Sequence, residues 1–172
     1  MIERTLATKL ISLAKKFQVI TLTGPRQSGK TTLVRATFPT LPYVSLEEPD
    51  IRQIALTDAR GFLANYPNGA ILDEIQNAPD LFSYIQKLVD ENRNIQFILT
   101  GSSNFLLMEK ISQTLAGRTA VLHLLPLSFS EMKPGAVQYE SLIFKGLYPR
   151  IYDRDIDPTD FYPAYIQTYV EK

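Results

Sequence analysis

Hydrophobic and polar positions in the first part of the chain follow two spacings, one typical of helices and the other of buried strands. Between residues 2 and 17, apolar side chains recur at every third or fourth position, which predicts an amphipathic helix. Residues 18–23, Q-V-I-T-L-T, are β-branched and almost wholly apolar. This composition predicts a short strand that is covered on both faces.

The same switch between the two spacings repeats as far as residue 124. Further helices are predicted over residues 30–38, 47–56, a short stretch ending near 65, a stretch opened by Pro79, and 105–113. Further strands are predicted over residues 43–46, 70–72, 95–99 and 119–124, with a small polar turn over residues 100–104. The connections between strands are too long for hairpins. The pattern therefore predicts an α/β fold with a mainly parallel five-stranded sheet between helices.

The pattern changes at Pro126, where the segments become shorter and Pro, Gly and Tyr become more frequent. We therefore predict a core over residues 1–125 and the start of a second, helical region over residues 126–172. The last helix of this region carries a stripe of aromatic and apolar residues, namely Phe161, Tyr162, Tyr165, Ile166, Tyr169 and Val170. Such a stripe needs a surface to pack on, which is either a missing second domain, a partner chain or the core of the chain itself.

Composition narrows the class of protein. With 172 residues, 45% hydrophobic and 21% charged, the chain has the composition of an ordinary globular protein. It has no cysteine, which excludes disulfides and thiolate metal sites. A net charge of zero argues against nucleic-acid binding over the whole surface but leaves a local basic patch open. Because no apolar run is long enough for a membrane span and the N-terminus lacks a secretory pattern, we expect no membrane association and a cytoplasmic location.

A glycine-rich motif lies between the first predicted strand and the helix after it. Residues 24–31 read G-P-R-Q-S-G-K-T, a complete match to the phosphate-binding pattern G-x-x-x-x-G-K-[ST]. Glycines at both ends let the backbone turn tightly and aim its N–H groups at phosphate oxygens. The alternative is a glycine-flanked turn with a solvated lysine. The predicted nucleotide-binding residues are Gly24, Pro25, Arg26, Gln27, Ser28, Gly29, Lys30, Thr31 and Thr32.

Two side chains of this motif have specific predicted roles. Lys30 reaches the β and γ phosphates of a nucleotide, where its charge also serves catalysis. Thr31 lies in the first turn of the following helix, so its hydroxyl can ligate Mg²⁺ while the helix N-terminus adds its positive end to the anion site.

A second apolar strand ends in an acidic pair, in the sequence A-I-L-D-E. Asp73 is predicted to hold Mg²⁺, directly or through water, and Glu74 to orient and polarise a water for attack on the γ phosphate. Both carboxylates then need to lie beside the phosphate loop at the carboxyl end of the sheet. The alternative is an acidic strand end that caps the next helix.

Other candidate residues follow later strands. Ser102, Ser103 or Asn104 is predicted to hydrogen-bond the γ phosphate or the attacking water, with helix capping by Ser103 or Asn104 as an equal alternative. Arg118 precedes the fifth predicted strand, where it either delivers a guanidinium to a γ phosphate, in the same chain or a neighbouring subunit, or forms a surface ion pair. His123 is interpreted as a core or strand-face histidine, since no second histidine or cysteine is available as a co-ligand.

Taken in order, a series of segments resembles one protein family. The chain is similar to the bacterial and archaeal AAA-type ATPases of the AAA_14 family, which usually carry a C-terminal domain of unknown function, DUF4143. The segments that carry this likeness are G-P-R-Q-S-G-K-T-T-L, Y-V-S-L-E-E-P-D-I-R, A-I-L-D-E-I-Q, F-I-L-T-G-S-S-N-F-L-L, Q-T-L-A-G-R and G-L-Y-P-R. Because relatives continue well past residue 172, the resemblance also implies a truncated chain.

The resemblance implies a P-loop fold with an additional strand between the strands that bear the Walker A and Walker B motifs. It places Lys30 and Thr31 in Walker A and Asp73 and Glu74 in Walker B, and the T-G-S segment at residues 100–102 resembles the sensor region. It implies ATP and Mg²⁺ as ligands. Arg118 lies in the G-R motif of the family, in which an arginine finger is one implied role.

Three functions compete at this stage. The first is Mg²⁺-dependent ATP hydrolysis that rearranges a missing C-terminal domain, and the second is a nucleotide-gated interaction switch with little turnover. The third, a small-molecule kinase, fits Glu74 less well because a kinase must avoid activating water. Homo-oligomers are expected from family analogy, and a protein or nucleic-acid partner remains open through the missing domain.

Overall fold

The computed structural model of the chain describes residues 2–102, 105–132 and 139–170. Its strands are β1 (Val19–Gly24), β2 (Tyr43–Ser45), β3 (Ile71–Asp73), β4 (Phe97–Ser102) and β5 (Thr119–His123). They form one sheet in the order β2-β3-β4-β1-β5, and all four pairings are parallel. The predicted α/β fold with a five-stranded parallel sheet is confirmed, and β4 lies between β1 and β3 as the family resemblance implied.

Helices connect the strands and follow them. Their bounds in the described residues are α1 (Leu6–Ala14), α2 (Lys30–Thr37), α3 (Pro49–Thr57), α4 (Ala59–Ala64), α5 (Leu81–Glu91), α6 (Phe105–Thr114), α7 (Tyr139–Lys145), α8 (Pro149–Arg154) and α9 (Pro158–Tyr165). Short 3₁₀ turns occupy Ile75–Asn77 and Phe129–Glu131, and a π-helical turn, Ile166–Val170, continues α9. No helix among the described residues is long and apolar enough to cross a membrane.

The sheet is buried on both faces. Alternate residues of the strands, such as Val19 and Phe97, face the cluster that contains Phe62 and Phe82 from α4 and α5. The intervening residues face a second cluster, which contains Leu10, Leu33 and Val34 from α1 and α2 and Ile20, Leu22 and Ile98 from the sheet. All six residues of β1 are buried. Helices on both sides therefore explain the nearly continuous apolar runs of the strand sequences.

The fourth strand is longer than its sequence predicts. Residues 100–102 were predicted as the beginning of a polar turn, which is wrong, because they continue β4 in parallel register with Leu22, Thr23 and Gly24. Pairing with the buried strand β1 outweighs the weak strand propensity of small polar residues. Residues 103 and 104, for which helix capping was an alternative, lie outside the described residues.

The close approach of two loops at Gly69 makes a test of stability. Gly69 has a φ of +95°, and a Cβ built there would overlap the carbonyl oxygen of Gln96. Gly69→Ala is therefore expected to lower the free energy of unfolding by about 2–3 kcal/mol, as measured by urea denaturation. Gly117 has a φ of +77°, and no described residue lies within 4 Å of a built Cβ, so Gly117→Ala should cost only about 1 kcal/mol. Equal losses in both variants would contradict this account of Gly69.

The aromatic stripe of the last helix packs within the chain. Phe161 and Tyr165 are buried with Ile151 of α8, and the ring of Tyr148 lies 4.9 Å from that of Tyr165 between centroids. The Tyr165 hydroxyl donates a hydrogen bond of 3.2 Å to the Arg26 carbonyl. Phe161 and Tyr165 are thus covered by residues of the second predicted region, and one hydrogen bond reaches the predicted core at Arg26. A missing domain or a partner chain over the rest of the stripe stays a prediction. The division of the chain at residues 125 and 126 stays a prediction.

Candidate nucleotide site

The predicted site residues converge because three neighbouring strands end together. β1 ends at Gly24, β3 ends at Asp73 and β4 ends at Ser102. These strands lie side by side in the order β3-β4-β1 and run in the same direction. Their carboxyl ends therefore bring the glycine-rich loop, the acidic pair and the serine to one edge of the sheet, where open α/β sheets bind ligands.

The glycine-rich loop has a backbone that its glycines make possible. A Cβ at Gly24 would overlap the Leu124 carbonyl oxygen, and Gly29 adopts a left-handed conformation with a φ of +92° immediately before α2. The loop thus leads directly into the N-terminus of an eight-residue helix, where free N–H groups favour an anion. The Ser28 hydroxyl is buried and has no hydrogen-bond partner among the described residues. An unsatisfied buried hydroxyl in this loop fits a phosphate ligand.

Lys30 is turned back into this loop. Its side chain is buried, and its ammonium donates hydrogen bonds of 2.9 Å to the carbonyl oxygens of both Gly24 and Pro25. Burial lowers the pKa of Lys30 below its usual range, while the negative charges of Glu74 and Asp73 oppose that shift. The ammonium therefore lies in the loop where its charge was predicted to meet phosphates, against the carbonyl oxygens of Gly24 and Pro25.

Asp73 is the most strongly hydrogen-bonded acidic side chain of the site. Its Oδ2 accepts hydrogen bonds of 2.8 Å from the hydroxyls of Thr31 and Tyr43, and its Oδ1 accepts one from Thr100. The structure thus joins the two predicted magnesium ligands, Thr31 and Asp73, by a direct hydrogen bond. Burial and the hydrogen bond to Asp73 raise the pKa of Tyr43 to about 12, so the phenol is protonated at neutral pH.

Glu74 follows Asp73 in an uncommon backbone conformation. Its φ of +54° lies in the left-handed region, which few non-glycine residues adopt and which often marks functional sites. Its Oε2 accepts a hydrogen bond from the Gln76 amide, and the Ser102 hydroxyl lies at 3.5 Å from the same oxygen. The predicted base and the predicted water-binding serine are therefore neighbours.

Arg118 lies at the amino ends of the strands, whereas the glycine-rich loop lies at their carboxyl ends. Its neighbour Thr119 pairs with Val19 at the start of β1, whereas the loop begins at the other end, roughly 16 Å away along the strand. Its guanidinium donates hydrogen bonds of 2.6 and 2.9 Å to the two carboxylate oxygens of Asp90. The surface ion pair considered from sequence is thus present. A role toward the loop of the same chain has no support, and delivery to a neighbouring subunit stays a prediction.

The other predicted residues of the glycine-rich motif form no hydrogen bond to the acidic pair within the described part of the chain. Pro25 is half-buried, and Arg26, Gln27 and Thr32 are exposed. His123, interpreted as a core or strand-face histidine, is exposed on β5, so a core position is wrong. It shares a hydrogen bond of 3.0 Å with the Thr23 hydroxyl through its Nδ1.

Three residues that sequence reasoning did not assign to the site also belong to it. Tyr43 and Gln76 contact the acidic pair, and Arg4 contacts the loop by donating a hydrogen bond of 2.7 Å to the Ser28 carbonyl. The Arg4 guanidinium also donates to the carbonyls of Leu125 and Pro126 and lies 3.2 Å from a Glu131 carboxylate oxygen. Tyr43 and Gln76 lie in two of the segments that carry the family resemblance, but neither residue belongs to the Walker A or Walker B motif.

The donor set suits a hard divalent cation that is shared with phosphates. Among the described residues, no group of three or more His, Cys, Asp or Glu side chains could enclose a metal ion by itself. One carboxylate and one hydroxyl, from Asp73 and Thr31, are instead what Mg²⁺ commonly takes from a protein when phosphates and waters complete its octahedron. The residues present therefore fit magnesium bound together with a nucleotide.

Comparison with known sequences identifies relatives that are themselves uncharacterised. The AAA_14 family, described as an AAA domain, matches residues 16–133. An uncharacterised protein of Mycobacterium tuberculosis is 30% identical over 173 residues, which cover 98% of this chain and 39% of the relative. An uncharacterised protein of Methanocaldococcus jannaschii is 31% identical over 140 residues, which cover 76% of this chain and 30% of the relative. The chain thus spans less than half the length of these curated relatives.

Solved structures share the fold at low sequence identity. The Walker-type ATPase of Pyrococcus abyssi aligns over 96% of this chain and 63% of its own, with a TM-score of 0.56 and 16% identity. The Orc1 protein of Aeropyrum pernix, solved in complex with DNA, aligns over 83% of this chain and 54% of its own, with a TM-score of 0.55 and 14% identity. These likenesses and the sheet order show that the chain has the P-loop NTPase fold. The match over residues 16–133 shows that it belongs to the AAA_14 family of AAA domains.

Proposed function

We propose that this chain binds ATP with Mg²⁺ and hydrolyses it. The observation that carries the proposal is the hydrogen bond of 2.8 Å between Thr31 and Asp73, next to a buried Lys30 in the glycine-rich loop. A hydroxyl at a helix N-terminus, a carboxylate from a neighbouring strand and an ammonium are the groups that a magnesium nucleotide requires. The unsatisfied Ser28 hydroxyl in the same loop gives further support.

The chain's own groups would divide the work of binding. The loop N–H groups and the N-terminus of α2 receive the phosphates, and Lys30 exchanges its carbonyl partners for phosphate oxygens. Thr31 and Asp73 would hold Mg²⁺, which when bound neutralises developing charge on the phosphates. Thr31 can offer an oxygen lone pair to the metal while its proton stays hydrogen-bonded to Asp73.

Glu74 would act as the base. Its carboxylate accepts a proton from a water molecule that lies in line with the γ phosphate, and Ser102 helps to orient that water. The Glu74 carboxylate favours ATP hydrolysis over phosphoryl transfer to a small molecule. A base that activates water makes water compete with any other phosphoryl acceptor. Hydrolysis in this proposal drives rearrangement of a C-terminal domain, for which the greater length of the relatives leaves room.

A second candidate is a nucleotide-gated interaction switch with little turnover. The observation that favours the switch is the position of Arg118, which lies at the amino ends of the strands, away from the loop, and is paired with Asp90. If the transition-state arginine comes only from a neighbouring subunit, an isolated chain binds ATP and scarcely hydrolyses it. A protein or nucleic-acid partner would then recognise the nucleotide-bound state of the chain. The Orc1 protein, which has a similar fold, was solved in complex with DNA.

Phosphate release measured against protein concentration tests these functions. For an ATPase that needs a neighbour's arginine, turnover per chain is expected to rise with concentration, because assembly completes the site. Arg118→Ala should abolish the rise and leave ATP affinity unchanged. The exposed Arg93 provides the matched control, Arg93→Ala, which should behave as the wild type. A negligible rate at all concentrations, with ATP still bound in calorimetry, would support the switch, whereas no ATP binding would contradict both functions.

A further inference from the structure

The phenol of Tyr43 links the second strand to the carboxylate that the proposed function gives to the metal. Tyr43 opens β2, the strand next to β3, and its hydroxyl donates a hydrogen bond of 2.8 Å to Asp73 Oδ2. The ring is itself held in place, since the Arg35 guanidinium carbon from α2 lies over it at 4.6 Å from the centroid. The hydroxyl is thus fixed by a strand on one side and by a helix on the other.

Among the described residues, Asp73 accepts three hydroxyl hydrogen bonds, and their distribution over its two oxygens is uneven. Thr100 donates to Oδ1, whereas Thr31 and Tyr43 both donate to Oδ2. Thr31 is itself a proposed metal ligand, whereas Thr100 and Tyr43 have no proposed contact with the metal. One hydroxyl that is not a proposed metal ligand is therefore bonded to each oxygen of Asp73, Thr100 to Oδ1 and Tyr43 to Oδ2.

We propose that Tyr43 is a positioning residue for magnesium, and that its phenol holds the Asp73 carboxylate in the orientation in which it receives the metal. This inference rests on the proposed function, because it gives a role to a residue around the same site. Groups that hydrogen-bond metal ligands fix their orientation, and their removal commonly weakens metal affinity or activity by about 10- to 100-fold. The proposed role of Tyr43 is exerted through Asp73, to whose Oδ2 its hydroxyl donates.

Calorimetric titration of ATP at a series of MgCl₂ concentrations tests the inference. Tyr43→Phe removes the hydroxyl and keeps the ring beneath Arg35. It is expected to raise the Mg²⁺ concentration for half-maximal ATP binding by about tenfold. Its affinity for ATP in EDTA should equal that of the wild type, which separates positioning of the metal from general damage to the site. Tyr66→Phe is the matched control, since Tyr66 packs edge-on against Phe62 in the cluster between the sheet and helices α4 and α5, and it should change neither value.

A double-mutant cycle with Asp73→Asn completes the test. In that background Tyr43→Phe should have no further effect on the Mg²⁺ requirement, because the carboxylate it positions is gone. An unchanged or lower Mg²⁺ requirement in Tyr43→Phe, or an equal effect with and without Asp73, would overturn the inference alone. If the wild type itself shows no Mg²⁺-dependent ATP binding, the proposed function fails and the inference fails with it.

Discussion

Glu74→Gln is expected to bind ATP as tightly as the wild type and to release phosphate about 10²- to 10⁴-fold more slowly. The amide has nearly the shape of the carboxylate, so it fits the same left-handed backbone conformation between Asp73 and the 3₁₀ turn. It cannot accept a proton from water, which is the property the proposal assigns to Glu74. Calorimetry with ATP and Mg²⁺, together with a phosphate-release assay on the same preparation, measures both quantities.

The matched control is Glu91→Gln. Glu91 is an exposed residue at the end of α5, where it forms an i,i+4 ion pair with Lys87 at 3.8 Å. Its neutralisation should leave phosphate release unchanged. Turnover that survives in Glu74→Gln would remove Glu74 as the base. A phosphorylated small acceptor in a product screen of the wild type would instead revive the kinase alternative.

Lys30→Ala is expected to weaken ATP binding by about 10- to 150-fold, which corresponds to the loss of charged hydrogen bonds worth about 1.5–3 kcal/mol. The ammonium is the one cation of the loop that is buried among the described residues, and it is directed at the loop carbonyls. Its loss removes both the charge and the donors that a polyphosphate would meet. Calorimetric titration with ATP in the presence of MgCl₂ measures the change.

Two further variants separate charge from packing. Lys30→Met retains most of the aliphatic stem and should lose affinity to nearly the same extent as Lys30→Ala. Lys87→Ala, which removes a largely exposed lysine of α5, should bind ATP like the wild type. Equal ATP affinity in Lys30→Ala and the wild type would refute the assignment of the phosphate site. Urea denaturation of each variant shows whether the loop change also affects the free energy of unfolding.

Local signals in the sequence predicted the fold and the centre of the site. The apolar run before Gly24 and the helix after Lys30 are determined largely by neighbours in the chain, as is the strand that ends at Asp73. Neighbouring parallel strands have their carboxyl ends at the same edge of the sheet. The strand before Gly24 and the strand that ends at Asp73 therefore bring Thr31, just after the loop, close to Asp73. These features depend on periodicity and on a motif with a known mechanism.

The outer parts of the site depend on contacts between distant segments, which periodicity does not encode. Tyr43 reaches Asp73 across 30 positions, and Arg4 reaches the carbonyls of Leu125 and Pro126 across more than 120. Within its own segment, Tyr43 is an ordinary strand residue and Arg4 an ordinary surface residue, so neither is marked as part of the site. The extension of β4 to Ser102 is of the same kind, because pairing with β1 decides it.

Arg118 illustrates the limit of reading a role from position in the chain. The sequence places it after a glycine and before a strand, which is compatible with exposure to a phosphate or to a surface carboxylate. The direction of β5 decides between these for a single copy, since a parallel strand puts its amino end away from the loop. The ion pair with Asp90 is exposed, and such pairs contribute little to stability, so Arg118 can leave it at small cost.

The contact between the last helix and the glycine-rich loop has a spectroscopic consequence. The chain contains nine tyrosines and no tryptophan, so its near-ultraviolet emission comes from tyrosine alone. Tyr165 donates to the Arg26 carbonyl, and the Arg26 guanidinium carbon lies 5.8 Å from the centroid of the Tyr169 ring. Displacement of the loop changes the surroundings of both rings. Intrinsic fluorescence thus follows the loop without an attached dye.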